Sequence, residues 1–88
     1  MPTISIFFGI VIQMYWRDHN PPHLHAFYQG NEALFSIESG EVLAGSLPAT
    51  ARRIVGDWIM RERDRLMMNW ERGRLNEPFE RVPGADAS

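Results

Sequence analysis

His23 and His25 stand two residues apart in the stretch DHNPPHLH, residues 18–25, which holds all three histidines of the chain. On an extended strand the side chains at i and i+2 share a face, so the two imidazoles are expected side by side, roughly 6–7 Å apart at the backbone. That spacing can chelate. Zinc binds imidazole nitrogen at about 2.0–2.1 Å, and two strand histidines with a third ligand form a site that keeps one position open. Asp18 and His19, across the Pro21-Pro22 step, are the nearest candidates for that ligand. The metal set expected on this chemistry is His23, His25 and Asp18, with zinc or nickel as the ion. Asn20 precedes a proline and is pushed to extended geometry, while Pro21 and Pro22 fix their own φ, so the loop is stiff enough to hold a side chain in place.

The same residues also support chemistry that needs no cofactor. Of two imidazoles on a basic surface, one can draw the proton from a 2′-hydroxyl of RNA while the other protonates the leaving oxygen, because histidine titrates near working pH. His23, His25 and His19 are the candidates for that work, with Arg17 or a helix arginine to balance the charge on phosphorus. A third expectation is plain packing. One histidine then lies at the surface and the other rests on Tyr15 or Trp16, and the chain is a binding or scaffold protein without chemistry.

Composition bounds these choices. Eighty-eight residues make one small domain, and at 44% hydrophobic residues, with three tryptophans, there is material for a core. There is no cysteine, so disulfides and thiolate metal sites are excluded, and a cytoplasmic setting suits the chain. The N-terminal apolar run has no basic segment ahead of it and no cleavage pattern after it, and it falls short of the roughly 18 residues a membrane helix needs. No membrane partner is expected. The net charge of −2 hides a division: residues 1–47 carry Arg17 against four acids, and residues 48–74 carry seven arginines against four acids. A basic helical segment can meet RNA phosphate or an acidic partner, or it can be a solvated face.

The elements that position the histidines can be read from periodicity. Phe7–Trp16 reads as a well-buried strand, with Gly9 marking a turn or bulge that splits off a short first strand at Ile4–Phe8. Leu24–Tyr28 reads as a second strand and Gln29-Gly30-Asn31 as a turn. Glu32–Glu38 reads as a third strand with Ala33, Phe35 and Ile37 inward, and Val42–Ala44 as a short fourth. Pro48 opens a helix that runs to about Arg72, with Ala51, Val55, Trp58, Ile59, Leu66 and Trp70 on one face and Gly73 as its stop. Glu62 falls near the centre of that apolar face. A carboxylate buried there without a partner would cost several kcal/mol, so it is expected to meet Arg17, a histidine or a backbone donor, or to reach past the helix edge to solvent. Beside a histidine it would orient the imidazole. The fold expected is α+β: a three- to four-stranded antiparallel meander followed by one long helix packed on a sheet face, with Trp58, Ile59, Leu66 and Trp70 against Val11, Met14 and Phe35. Residues 1–83 form the domain and 84–88 a flexible tail. An apolar second sheet face would call for a second copy or another protein, hence a homo-oligomer or hetero-complex.

Nearly the whole chain resembles a small bacterial family, domain of unknown function 4160. The stretches that carry the resemblance are MPTIS, FGIVIQMYWRDHNPPHLHAFY, GEVLAGSLP, Trp58, Leu66, Asn69-Trp70 and EPFERV, of which DHNPPHLH joined to the preceding strand is the specific part. The resemblance implies a small prokaryotic cytoplasmic protein, often encoded beside a small protein resembling domain of unknown function 2442, in an arrangement similar to toxin–antitoxin pairs. That habit places a toxin-like protein acting on RNA through His23 and His25 slightly ahead of the metal and scaffold alternatives. The family pattern has basic residues where this chain has Ile6, Gln13 and Thr50, and often a histidine in place of Glu62. If those positions hold phosphate or move protons, this member is impaired or has a rewired site.

Overall fold

The alternation of residues decides which face of the sheet is covered. Ile10, Ile12 and Met14 are buried while Val11, Gln13 and Tyr15 between them are only half-buried, and Leu24, Ala26, Ala33, Phe35 and Ile37 continue the buried set. The computed structural model describes residues 2–87. It contains β1 (Thr3–Phe7), β2 (Ile10–Gln13), β3 (His23–Tyr28), β4 (Asn31–Ser36) and β5 (Val42–Gly45), then α1 (Ala49–Arg61) and α2 (Arg63–Arg74). The strands form one antiparallel sheet in the order β1-β2-β3-β4-β5, and the core joins its buried face to Ala51, Val55, Trp58, Ile59, Leu66 and Trp70 of the helices. The α+β class and the meander are as expected, and the details differ at several places.

The sheet has five strands rather than three or four, because Phe8 and Gly9 turn the chain at φ 51° and 76° and make Ile4–Phe8 and the following run separate partners. Positive φ at both central residues is the geometry whose twist matches an antiparallel hairpin. The long helix is two helices. At Glu62 the backbone departs to φ −104°, ψ 18°, yet Glu62 N–H still donates to Trp58 O (2.9 Å) and Leu66 N–H to Glu62 O (3.0 Å), so the break is a kink in a nearly continuous ladder. It falls at the one acid of the apolar stripe, whose carboxylate turns aside to Arg61 (3.0 Å) and Arg65 (3.7 Å). Val11 lies on the face away from the helices, one position out of phase with Met14. Gly73 does not end the helix: it lies buried within α2, where a Cβ would meet the Phe79 ring at 3.0 Å. The turn comes at Asn76, φ 60°, a conformation asparagine tolerates better than most residues.

Residues past α2 are held by buried polar groups. Asn69 Nδ2 donates to Glu80 O (2.8 Å) and its Oδ1 accepts from Glu80 N–H (2.9 Å), while Ser5 Oγ donates to Val82 O (2.8 Å) and Trp58 Nε1 to Pro83 O (2.8 Å). Of the segment expected to be a tail, Ser88 lies outside the described residues, as does Met1. Gly84 and Ala85 lie against the core, where Gly84 leaves room for Phe7 and its carbonyl accepts from Arg61 (2.7 Å).

Gly45 makes the tightest backbone approach in the sheet. Its φ is +74° and a Cβ there would lie 2.3 Å from the Glu32 carbonyl oxygen. Gly45→Ala is therefore expected to destabilise the domain by at least about 2 kcal/mol, from left-handed strain and the clash together, read as a lowered midpoint in urea with an unchanged slope. An unchanged midpoint would show that the β4–β5 approach is looser than this.

Candidate metal centre

His23 and His25 project from β3 on the side opposite to Leu24 and Ala26, paired with Ser36 and Leu34 of β4, and their rings lie 5.4 Å apart; His23, at the start of the strand, is buried beside α2. Tyr15 meets His25 edge-on at 4.4 Å and Trp70 lies 5.3 Å from His23. The chain between β2 and β3 folds back over this pair. Asp18 Oδ1 accepts the His19 N–H (3.0 Å), which fixes the carboxylate so that Oδ2 faces Nε2 of His23 (3.0 Å) and Nε2 of His25 (3.7 Å). The Pro-Pro step serves the site through its backbone: Pro21 O accepts from His23 Nδ1 (2.8 Å), and Pro22 O accepts from Ile37 N–H (3.0 Å), tying the loop to the end of β4. The Asn20–Pro21 bond is cis.

Hydrogen-bond inventory defines what this geometry lacks. A carbonyl and a carboxylate only accept, so His23 Nδ1, facing Pro21 O, and His25 Nδ1, facing Glu32 Oε2 at 3.1 Å, both carry hydrogen. In the neutral rings both Nε2 atoms then present lone pairs, and both converge on the same carboxylate oxygen. His25 Nε2 is buried and has no hydrogen-bond partner. Three electron-rich atoms meeting in a half-buried site repel one another unless a proton or a metal ion stands between them, and a single proton on His23 Nε2 would still leave His25 Nε2 without a partner.

A metal cation fits that place. One ligand atom each from Asp18, His23 and His25 lie within 4.8 Å of one another, and tetrahedral zinc with bonds of 2.0–2.1 Å requires ligand atoms about 3.3 Å apart. The Nδ1 contacts are those that metal-bound histidines usually make, donating to a carbonyl or carboxylate so that tautomer and ring orientation are fixed. Beside the ligands opens a cleft of about 400 Å³, bordered by Tyr15, Pro21, Leu34 and Leu43. Burial first, then the Glu32 and Asp18 carboxylates, push the Tyr15 hydroxyl above its ordinary range.

The structure brings together His23, His25 and Asp18, with His19 beside them. The His19 ring is 94% exposed and its Nδ1 lies 3.5 Å from Asp18 Oδ1, outside the converging set. Arg17 and Glu62 are not brought to the site. Arg17 is exposed at φ 57°, with its N–H on Gly73 O (3.1 Å), and Glu62 pairs with Arg61 and Arg65. Glu32 is the site residue that sequence reasoning missed. The Gln29-Gly30 turn was its signal: counting back from a two-residue hairpin pairs Phe27 with Glu32 and sets Glu32 diagonally across from His25 on the same face. Glu32→Gln is expected to weaken zinc binding about tenfold while the protein stays folded, checked by competition with a chromophoric chelator. Unchanged affinity would mean that Glu32 does not orient His25.

These features define a small α+β domain with a two-histidine, one-carboxylate cluster on the open face of its sheet. The chain belongs to the family described as Domain of unknown function (DUF4160), which it matches over residues 9–71. That span contains the whole cluster and the border of the cleft; β1 and the strapped segment after α2 lie outside it. No curated protein and no solved structure matches the chain.

Proposed function

We propose that this protein is a metal-binding protein whose ion, zinc or nickel, is held by His23, His25 and Asp18. The observation that carries this reading is the convergence of both Nε2 atoms on Asp18 Oδ2, with both Nδ1 atoms already committed to acceptors. The ligand types suit either ion, since imidazole and carboxylate both bind borderline divalent metals. Three protein ligands leave a coordination position for water or a ligand, the arrangement of a working centre rather than a purely structural one. Among the described residues no helix is long and apolar enough to cross a membrane, and the cysteine-free chain suits the cytoplasm.

The RNA reading draws less support from the same atoms. A phosphate between the two imidazoles would have to enter beside the carboxylates of Asp18 and Glu32, and no arginine borders the cleft. Two experiments separate the readings. Tag-free protein from zinc-supplemented cells should carry about one equivalent of metal, lost in His23→Ala. Growth arrest on expression of wild type, absent with a His23→Ala/His25→Ala variant at matched soluble levels and accompanied by no metal in the purified protein, would replace the metal reading with the RNA one.

A further inference from the structure

The cleft beside the ligands says what kind of molecule suits the open position. A dication there is balanced by two carboxylates, Asp18 as ligand and Glu32 on His25 Nδ1. The loaded centre is then close to neutral. The one basic side chain on the border besides the two ligands is His19, whose ring is 94% exposed with Nδ1 3.5 Å from Asp18; the chain has no lysine and no arginine borders the cleft. A phosphate or phosphodiester would therefore meet the metal against two fixed negative charges with no lysine or arginine to hold its remaining oxygens, the groups by which it is ordinarily recognised.

Apart from His19 and Asn20, the rest of the border is apolar. Leu43 projects from the edge strand β5 at 49% exposure, Leu34 is half-buried next to it, and Pro21 and the Tyr15 ring stand on the loop side. These groups offer contact area to the body of a ligand whose polar end reaches the metal, the usual division of labour in a small-molecule site.

On the metal reading above, we infer that the open coordination position accepts an uncharged, apolar-bodied ligand through a carbonyl-type oxygen, in preference to phosphate. The body of that ligand lies over Leu34 and Leu43.

Cobalt-loaded, tag-free full-length protein tests this through its visible absorption, titrated separately with acetamide, benzamide and inorganic phosphate. Both amides should change the spectrum, the benzo compound binding about tenfold tighter because its ring is removed from water, and phosphate at equal concentration should leave the spectrum unchanged. Leu43→Ser, at an exposed edge position away from the ligands, should remove most of the benzo preference without changing cobalt content. Cobalt bound with no response to either amide, equal binding of the two amides, or phosphate binding as well as the benzo compound would each overturn the inference while leaving the metal reading in place. Failure to bind cobalt or zinc at all would overturn both.

Discussion

Replacing His23 with alanine is expected to lower zinc affinity by two to three orders of magnitude and to leave the domain folded. Structural zinc sites with four ligands bind with about 10–16 kcal/mol, so one ligand accounts for about 3–4 kcal/mol, or a factor of several hundred. The protein should survive the change. Removing His23 deletes a ring packed on Trp70, but it also removes one of the two lone pairs aimed at Asp18 Oδ2. His19→Ala is the matched control. Its ring is exposed and outside the converging set, so affinity should fall less than about threefold. Competition with a chromophoric chelator reads both. Equal losses in the two variants would show that the ion sits on the loop rather than between loop and strand. The wild type should also gain thermal stability with zinc, because a ligand that binds only the folded state at 100 times its Kd contributes about 2.7 kcal/mol.

The second large effect lies in the core. Trp58 is 2% exposed, its ring lies 4.8 Å from that of Phe7, and its Nε1 donates to Pro83 O, so one side chain joins α1, the β1–β2 hairpin and the segment after α2. Trp58→Ala is expected to cost about 3–5 kcal/mol. A domain of this size has about 5–10 kcal/mol in all, and each kcal/mol corresponds to about 4–8 °C in Tm. A fall of about 15–30 °C should follow in a thermal melt followed by far-ultraviolet dichroism. Trp58→Phe keeps most of the apolar contact and loses the indole hydrogen bond, and should fall by less than half as much. If the two variants melted together, the hydrogen bond to Pro83, not the packing, would be the main contribution of this residue.

Much of this architecture is legible from residue types, and the parts that are not have identifiable physical causes. The inward set Ala33, Phe35 and Ile37, the turn at Gln29-Gly30 and the helix entry at Pro48 follow from alternation and turn chemistry, and the structure has them where those signals put them. Gly9 marks the turn after the first strand, but phenylalanine is an unusual residue at positive φ, so the aromatic run does not show that Phe8 takes part and that a full hairpin separates two strands there. The kink at Glu62 is hidden because no proline or glycine marks it. Beside it Arg61 donates to Gly84 O, a contact across 23 residues. At the site, Asp18, His23 and His25 are visible because they are close in sequence and the i, i+2 rule places two of them on one face. Glu32 reaches His25 only through strand register, and the commitment of both Nδ1 atoms, which gives the cluster its chemical direction, depends on a carbonyl and a carboxylate that no local pattern announces.

The most direct measurement is the zinc K-edge absorption spectrum of tag-free protein loaded with one equivalent of zinc, taken beside the His23→Ala/His25→Ala variant. The expected spectrum has only nitrogen and oxygen neighbours, at about 2.0–2.1 Å, with outer-shell scattering from two imidazoles that disappears in the variant. Zinc that fails to bind, or that shows the same imidazole scattering in both proteins, would contradict a centre built on His23, His25 and Asp18.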